Sequence, residues 1–128
     1  METRFGDWPV VTLIADGESS GAVRDAILDM LRAALERGRP FAAALDLTAT
    51  ADTEEDIADR ADRDPRLGEH AKAVKEMRAA LASQCRGLAF VGGERAPAAD
   101  AASRFWGCPV IQLERFEDAV SWARESLR

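Results

Sequence analysis

The sequence contains few of the residues that usually mark a reactive site. Its 128 residues include one histidine, two cysteines and no tyrosine, and the cysteines are not in a Cys-x-x-Cys arrangement. One imidazole and two separated thiols fall short of the ligand set of a structural zinc site, so we expect no metal. No P-loop, dinucleotide fingerprint or nucleophile–base motif is present. We therefore expect no cofactor and no catalytic residue, and the sequence favours a binding domain over an enzyme.

Basic residues are also scarce. Lysine occurs only twice, and the formal net charge is −6. Nucleic acids and anionic membranes bind basic surfaces, so we expect neither as the main partner. The apolar runs are shorter than a membrane span, and the charged residues 1–4 do not begin a signal segment. These features predict a cytoplasmic protein without integral membrane association, and the abundance of alanine and arginine favours a bacterial, GC-rich genome.

The length and the apolar content predict one domain over residues 1–128. Apolar residues make up 47% of the chain, which is enough for a hydrophobic core and too much for a disordered protein. The centre of the fold is expected at 41–47, Phe-Ala-Ala-Ala-Leu-Asp-Leu, after a Gly-Arg-Pro turn. A continuous apolar run of this length is typical of a strand buried on both faces of a parallel sheet.

Helical and strand patterns alternate along the rest of the chain. They predict an α/β fold with a four- to five-stranded, mostly parallel sheet and helices packed on it. If all the helices lay on one face, the other face would be free for a partner. Ser20 is expected to cap the first helix and Gly38 to end it. The predicted strands are 3–5, 8–15, 41–47, 86–91 and 109–113, and the predicted helices are 21–37, 54–61, 65–83, 96–106 and 116–127.

Three short stretches carry a family resemblance. They are Leu-Asp-Leu-Thr at 45–48, Gly-Leu-Ala-Phe-Val-Gly-Gly at 87–93, and Phe-Glu-Asp-Ala-Val-Ser-Trp-Ala at 116–123. Together they resemble the strand ends and the terminal helix of the SpoIIAA-like family, small α/β domains of the STAS/SEC14 type. The resemblance implies the element order β-β-α-β-α-β-α-β-α. It also implies a non-catalytic regulatory domain that binds a protein partner or a small apolar ligand at the carboxyl-terminal edge of the sheet, and it leaves a homodimer open.

One departure from the family limits what the resemblance implies. STAS anti-sigma-factor antagonists carry a phosphorylated serine in an Asp-Ser-Ser-Gly-like motif after the corresponding strand. Here residues 48–53 read Thr-Ala-Thr-Ala-Asp-Thr. A phosphorylation switch is therefore not implied, although Thr53 stands at a predicted helix start where a phosphate would be stabilised. The alternative for Thr53 is a plain helix cap within the acidic run 52–64.

Candidate binding residues follow the ends of two predicted strands. Asp46, Thr48 and Thr50 come after the central strand, at the edge where open α/β sheets bind ligands. Their alternative role is to satisfy the backbone amides of the turn. Gly92 and Gly93 open the next strand-to-helix loop.

Two interpretations of the loop at Gly92 and Gly93 are possible. Together with Arg95, the two glycines form a loop that suits an anion, and the alternative is a tight turn.

The remaining candidates are aromatic or titratable. Trp106 is expected to line an apolar pocket, or else to lie in the core or at a dimer interface. His70 is either a half-buried helix residue or the base of the alternative hypothesis, a small enzyme or biosynthetic accessory protein with a pocket near Asp46, Thr48 and His70. Each cysteine precedes a strand that is expected to neighbour the other, so Cys85 and Cys108 are either a redox pair or two buried thiols.

Overall fold

The computed structural model describes residues 1–50, 65–92 and 99–128. Five strands and four helices alternate within them. The strands are β1 (Glu2–Arg4), β2 (Val10–Ile14), β3 (Phe41–Asp46), β4 (Cys85–Val91) and β5 (Val110–Leu113). The helices are α1 (Ser20–Glu36), α2 (Pro65–Gln84), α3 (Ala99–Trp106) and α4 (Phe116–Ser126). The predicted helix at 54–61 lies outside the described residues.

The strands form one mixed sheet in the order β1-β2-β3-β4-β5. β1 pairs antiparallel with β2, whereas β2, β3, β4 and β5 run parallel. Strand β3 is the middle strand, and every residue from Phe41 to Leu45 is fully buried. The prediction of a central strand buried on both faces is confirmed, because helices pack on each side of β3.

Three helices cover one face of the sheet. Helices α1, α2 and α3 each connect two parallel strands, and the three connections step across the sheet in the same direction. Right-handed crossovers of this kind place their helices on a common side. Accordingly, α2 packs against both α1 and α3. The main core lies between these helices and the sheet, and its fully buried members include Leu13, Leu31, Leu45, Val74 and Leu88.

The opposite face is covered by α4. This helix packs on β3 and β4, with Ala119 and Ala123 fully buried. The strand residues beneath it are mostly alanines, which let the helix approach closely. The ring of Trp122 lies over Gly87, where a Cβ atom would overlap it. An arrangement with all helices on one face, and a free face for a partner, is therefore not what the chain forms.

The start of α1 differs by one residue from the prediction. Ser19 is the N-cap, with an extended backbone (φ −66°, ψ 157°) and an Oγ that accepts the N–H of Ala22 at 3.2 Å. Ser20 is the first residue of the helix. At the other end, Gly38 has a φ of 67° and donates its N–H to the carbonyl of Leu35 at 3.1 Å, so it ends the helix as predicted.

Candidate functional site

Asp46 and Thr48 form a local turn at the end of β3. The Oδ1 atom of Asp46 accepts hydrogen bonds from the backbone N–H of Thr48 at 3.0 Å and from the Thr48 hydroxyl at 2.5 Å. An aspartate that bonds the amide two residues later makes an Asx turn, which takes the chain out of the strand. The carboxylate is half-buried and Thr48 is exposed. One oxygen of the predicted site carboxylate is thus occupied within the turn itself.

The turns that follow β3 and β4 lie side by side. The N–H of Leu47 donates to the carbonyl of Val91 at 2.8 Å. Gly92 lies against Thr48, and its carbonyl accepts the side-chain amide of Gln112 at 2.9 Å. The predicted residues Asp46, Thr48 and Gly92 are therefore brought together at the carboxyl-terminal edge of the sheet. Gly93, Arg95 and Thr53 lie outside the described residues.

Thr50 has a buried hydroxyl at the same edge. Its N–H donates to the carbonyl of Leu47 at 3.1 Å, and the neighbouring carbonyl of Ala49 accepts the N–H of Gly17 at 2.7 Å. The Oγ1 atom of Thr50 is buried and has no hydrogen-bond partner among the described residues. A buried hydroxyl without a partner has lost its hydrogen bonds to water and has not replaced them. It therefore marks a place where a polar group of a ligand could form a hydrogen bond.

A groove of about 320 Å³ runs between α1 and α2. These helices follow β2 and β3, so the amino-terminal half of each begins at the carboxyl-terminal edge of the sheet. The lining residues combine charges of both signs with a small apolar floor. They are Gly21, Arg24, Asp25, Leu28, Arg32, Glu69, His70 and Ala73.

His70 forms part of the groove wall and is held there by aromatic rings. Its ring stacks on Phe105 with centroids 6.1 Å apart and meets Trp106 edge-on at 5.9 Å. The Nδ1 atom is buried and has no hydrogen-bond partner among the described residues. Burial lowers the pKa of His70, the nearby charge of Arg24 lowers the pKa further, and Asp25 acts in the opposite direction. The imidazole is therefore neutral near pH 7, with one ring nitrogen able to accept a hydrogen bond.

Trp106 lies behind the groove and does not line it. Its side chain is 7% exposed and packs against Phe90, Phe105 and His70. Its ring packs against His70, and its burial agrees with the core location that the sequence left open beside the pocket role.

The predicted residues fall into two groups. Asp46, Thr48 and Gly92 form one, and His70 with Trp106 forms the other. Among the described residues, no hydrogen bond or ring contact joins the two groups. Within the described residues, these predicted groups therefore make no nucleophile–base contact with one another.

The α1 side of the groove was missed by sequence reasoning. Residues 21, 24, 25, 28 and 32 recur at helical spacing, so they share one face of α1 beside its apolar stripe. That periodicity was readable. It did not reveal that α2 would leave a gap over this face, because the gap depends on how two helices pack.

Within the ranges 1–50, 65–92 and 99–128, no group of three or more His, Cys, Asp or Glu side chains is arranged to hold a metal ion. None of the helices in these ranges has the length and apolar character needed to cross a membrane.

Compared with known proteins, the chain matches no family model, no curated protein and no solved structure.

Proposed function

We propose that this chain is a non-catalytic binding domain that takes a small ligand in the groove between α1 and α2, beside the carboxyl-terminal edge of the sheet. The observation that carries the proposal is the buried Nδ1 atom of His70, which faces no hydrogen-bond partner within the described residues. A buried ring nitrogen of this kind is costly unless something bonds it. A ligand that makes a hydrogen bond with Nδ1 would remove that cost.

The groove suits a small molecule of mixed polarity. Its volume, about 320 Å³, is at the lower end of the range for ligand pockets, roughly 300–1,000 Å³. Leu28 and Ala73 offer apolar contact, while Arg32 and Glu69 offer charges of opposite sign at the rim. A compact ligand with an apolar body and a hydrogen-bonding group directed at His70 fits this lining.

The family resemblance suggests a biological role for the binding domain. That resemblance rests on the three short stretches of sequence, and the described ranges form a small α/β domain with a five-stranded mixed sheet and four helices. On that resemblance we propose a regulatory role in the cytoplasm, with a protein partner as the alternative occupant of the edge. The turn formed by Asp46, Thr48 and Gly92 would then lie at the border of that contact.

A small enzyme at this site is supported less well. Such an enzyme would use Asp46, Thr48 and His70 together. However, Oδ1 of Asp46 accepts two hydrogen bonds from Thr48, and neither residue is in the groove lining. We therefore propose binding rather than catalysis.

Native mass spectrometry of the protein purified from its own host tests the proposal. We expect a bound small molecule. The variant His70→Phe should lose it, because phenylalanine keeps an aromatic ring against Phe105 and Trp106 but has no ring nitrogen. Asp118→Asn is the matched control, since Asp118 is an exposed residue of α4 on the opposite face. This control should retain the molecule.

Three outcomes would count against the proposal in different ways. A ligand-free protein would argue against a small-molecule site. A bound molecule that persists in His70→Phe would place the site elsewhere. A second protein in stoichiometric amount would favour the partner alternative.

A further inference from the structure

An irregularity in β4 determines where Cys85 points. In the pairing of β3 with β4, Phe41 lies opposite Cys85 and Ala42 lies opposite Gly87, so Arg86 is an extra residue. In a regular strand, residues 85 and 88 would face opposite sides of the sheet, because side chains alternate. Because the bulge adds Arg86 to the strand, Cys85 and Leu88 face the same side instead. Cys85 consequently shares the three-helix side with Leu88, while Arg86 is exposed.

Cys108 reaches the same part of the core from the neighbouring strand. It lies in the bend before β5, and Val110 packs against the same core cluster. Val110 is opposite Leu88 in the pairing of β4 with β5, and Leu88 donates its N–H to the carbonyl of Pro109 at 2.9 Å. That bond holds the segment containing Cys108 beside β4. Cys85 is 3% exposed and Cys108 is 5% exposed, and both belong to the main core.

Cys85 and Cys108 interact within the main core, and the Cys85 sulfur donates to the carbonyl of Gly87 at 3.6 Å. The interaction with Cys85, together with burial, raises the pKa of Cys108. The interaction with Cys108 lowers the pKa of Cys85. Cys85 is therefore the thiol that ionises first, and thiolates are the reactive form of cysteine.

We propose that Cys85 and Cys108 form a reversible intramolecular disulfide, with a peroxide as the oxidant. Cys85 begins β4, and Cys108 lies in the bend before the adjacent strand β5, so two thiols of one core are held near each other, as an S–S bond of about 2.05 Å requires. This proposal concerns the core beneath α2 and α3 and does not depend on the ligand proposed for the groove.

The chemistry balances in two steps. The Cys85 thiolate attacks one oxygen of hydrogen peroxide, which breaks the O–O bond and gives a sulfenic acid and hydroxide. The Cys108 thiol then attacks the sulfenic sulfur. The S–S bond forms, and the hydroxyl leaves with the Cys108 proton as water. Overall, two thiols lose two electrons and two protons, and one peroxide becomes two waters.

Peptide mapping of the intact folded protein tests the proposal. The protein is treated with hydrogen peroxide, unfolded in the presence of N-ethylmaleimide to block remaining thiols, and digested with trypsin without reduction. Cleavage after arginine releases residues 79–86 with Cys85 and residues 105–115 with Cys108. We expect these two peptides to be joined and lighter by two hydrogens than their sum. Dithiothreitol should separate them.

The single variants Cys85→Ser and Cys108→Ser control for which sulfurs are involved, and neither should yield the joined peptide. If a variant does not fold, the joined peptide from the wild type is by itself sufficient to test the proposal. Peroxide-treated wild type in which both cysteines carry N-ethylmaleimide, or sulfinic acid, would overturn the proposal. Disulfides found only between two molecules would overturn it as well, because the inferred bond lies within one core.

Discussion

Gly92 and Thr48 are in direct contact where the turns that follow β3 and β4 meet. A Cβ atom on Gly92 would lie 2.8 Å from the Cα atom of Thr48. Gly92 also has a φ of 66°, in the left-handed region. The contact leaves no room for a side chain at residue 92, and it fixes the two turns at the edge of the sheet beside the proposed site.

Replacing Gly92 with alanine is expected to destabilise the protein by about 3 kcal/mol. Roughly 1 kcal/mol comes from forcing an L-residue into a left-handed backbone, and the rest from overlap with Thr48. Gly38→Ala is the matched control, because Gly38 has a φ of 67° and nothing within 4 Å of its would-be Cβ. The control should cost about 1 kcal/mol. Denaturant unfolding measures both variants, and equal losses would show that the Thr48 contact can relax.

A second glycine is constrained by a side chain rather than by backbone. The indole ring of Trp122 occupies the space over Gly87, so Gly87→Ala should cost about 2 kcal/mol through overpacking. In a Trp122→Leu background the same substitution should cost at least about 1 kcal/mol less, because the obstructing ring is gone. Unfolding free energies of the four proteins give the coupling. A coupling near zero would mean that Trp122 moves aside freely.

The buried state of His70 predicts a pH dependence of stability. The pKa of His70 in the folded protein is lower than its ordinary value, chiefly because of burial. Between the two pKa values the unfolded chain binds more protons, so the unfolding free energy falls as pH drops through about 6.5 and levels off below the folded-state pKa.

Urea unfolding of wild type and His70→Gln between pH 8 and pH 5 measures this contribution. Glutamine does not titrate in this range, so the wild type should lose stability relative to the variant as the pH falls. Carboxylates are common to both proteins and cancel in the difference. Parallel pH profiles would show that His70 titrates in the folded protein as it does in the unfolded chain.

Much of the fold was predictable because its signals are local. The run 41–47 is apolar at every position up to Leu45 and follows a turn, a pattern typical of a strand covered on both faces. The helix patterns were equally direct, since their apolar residues recur at helical spacing. The predicted helix start was wrong where two neighbouring residues could both serve as the N-cap. Ser19 and Ser20 are equally good caps by type, and it is Ser19 that has the extended backbone and the bond to Ala22.

The candidate site was less predictable because it depends on distances between elements. Asp46, Thr48 and Gly92 come together because parallel strands end at one edge, which the element order implies. The groove depends instead on the distance between α1 and α2, and this distance cannot be predicted from the types of residue in the two helices. The side of the sheet that Cys85 faces depends on a one-residue bulge at Arg86, which the apolar pattern of β4 does not reveal.

The turn at Asp46 provides a last prediction, which separates a structural from a ligand-binding role. Asp46→Ala removes the acceptor of two hydrogen bonds from Thr48 and should cost about 1–2 kcal/mol. Asp46→Asn keeps a side-chain oxygen that can accept both bonds, so it should cost less than about 0.5 kcal/mol. Denaturant unfolding gives both values.

The same pair of variants then reports on binding. If the carboxylate serves only the turn, Asp46→Asn should retain any molecule that co-purifies with the wild type, because the turn and the groove between α1 and α2 are preserved. Loss of that molecule from Asp46→Asn at unchanged stability would show that the charge of Asp46 contacts the ligand directly. The site would then extend from the groove to the end of β3.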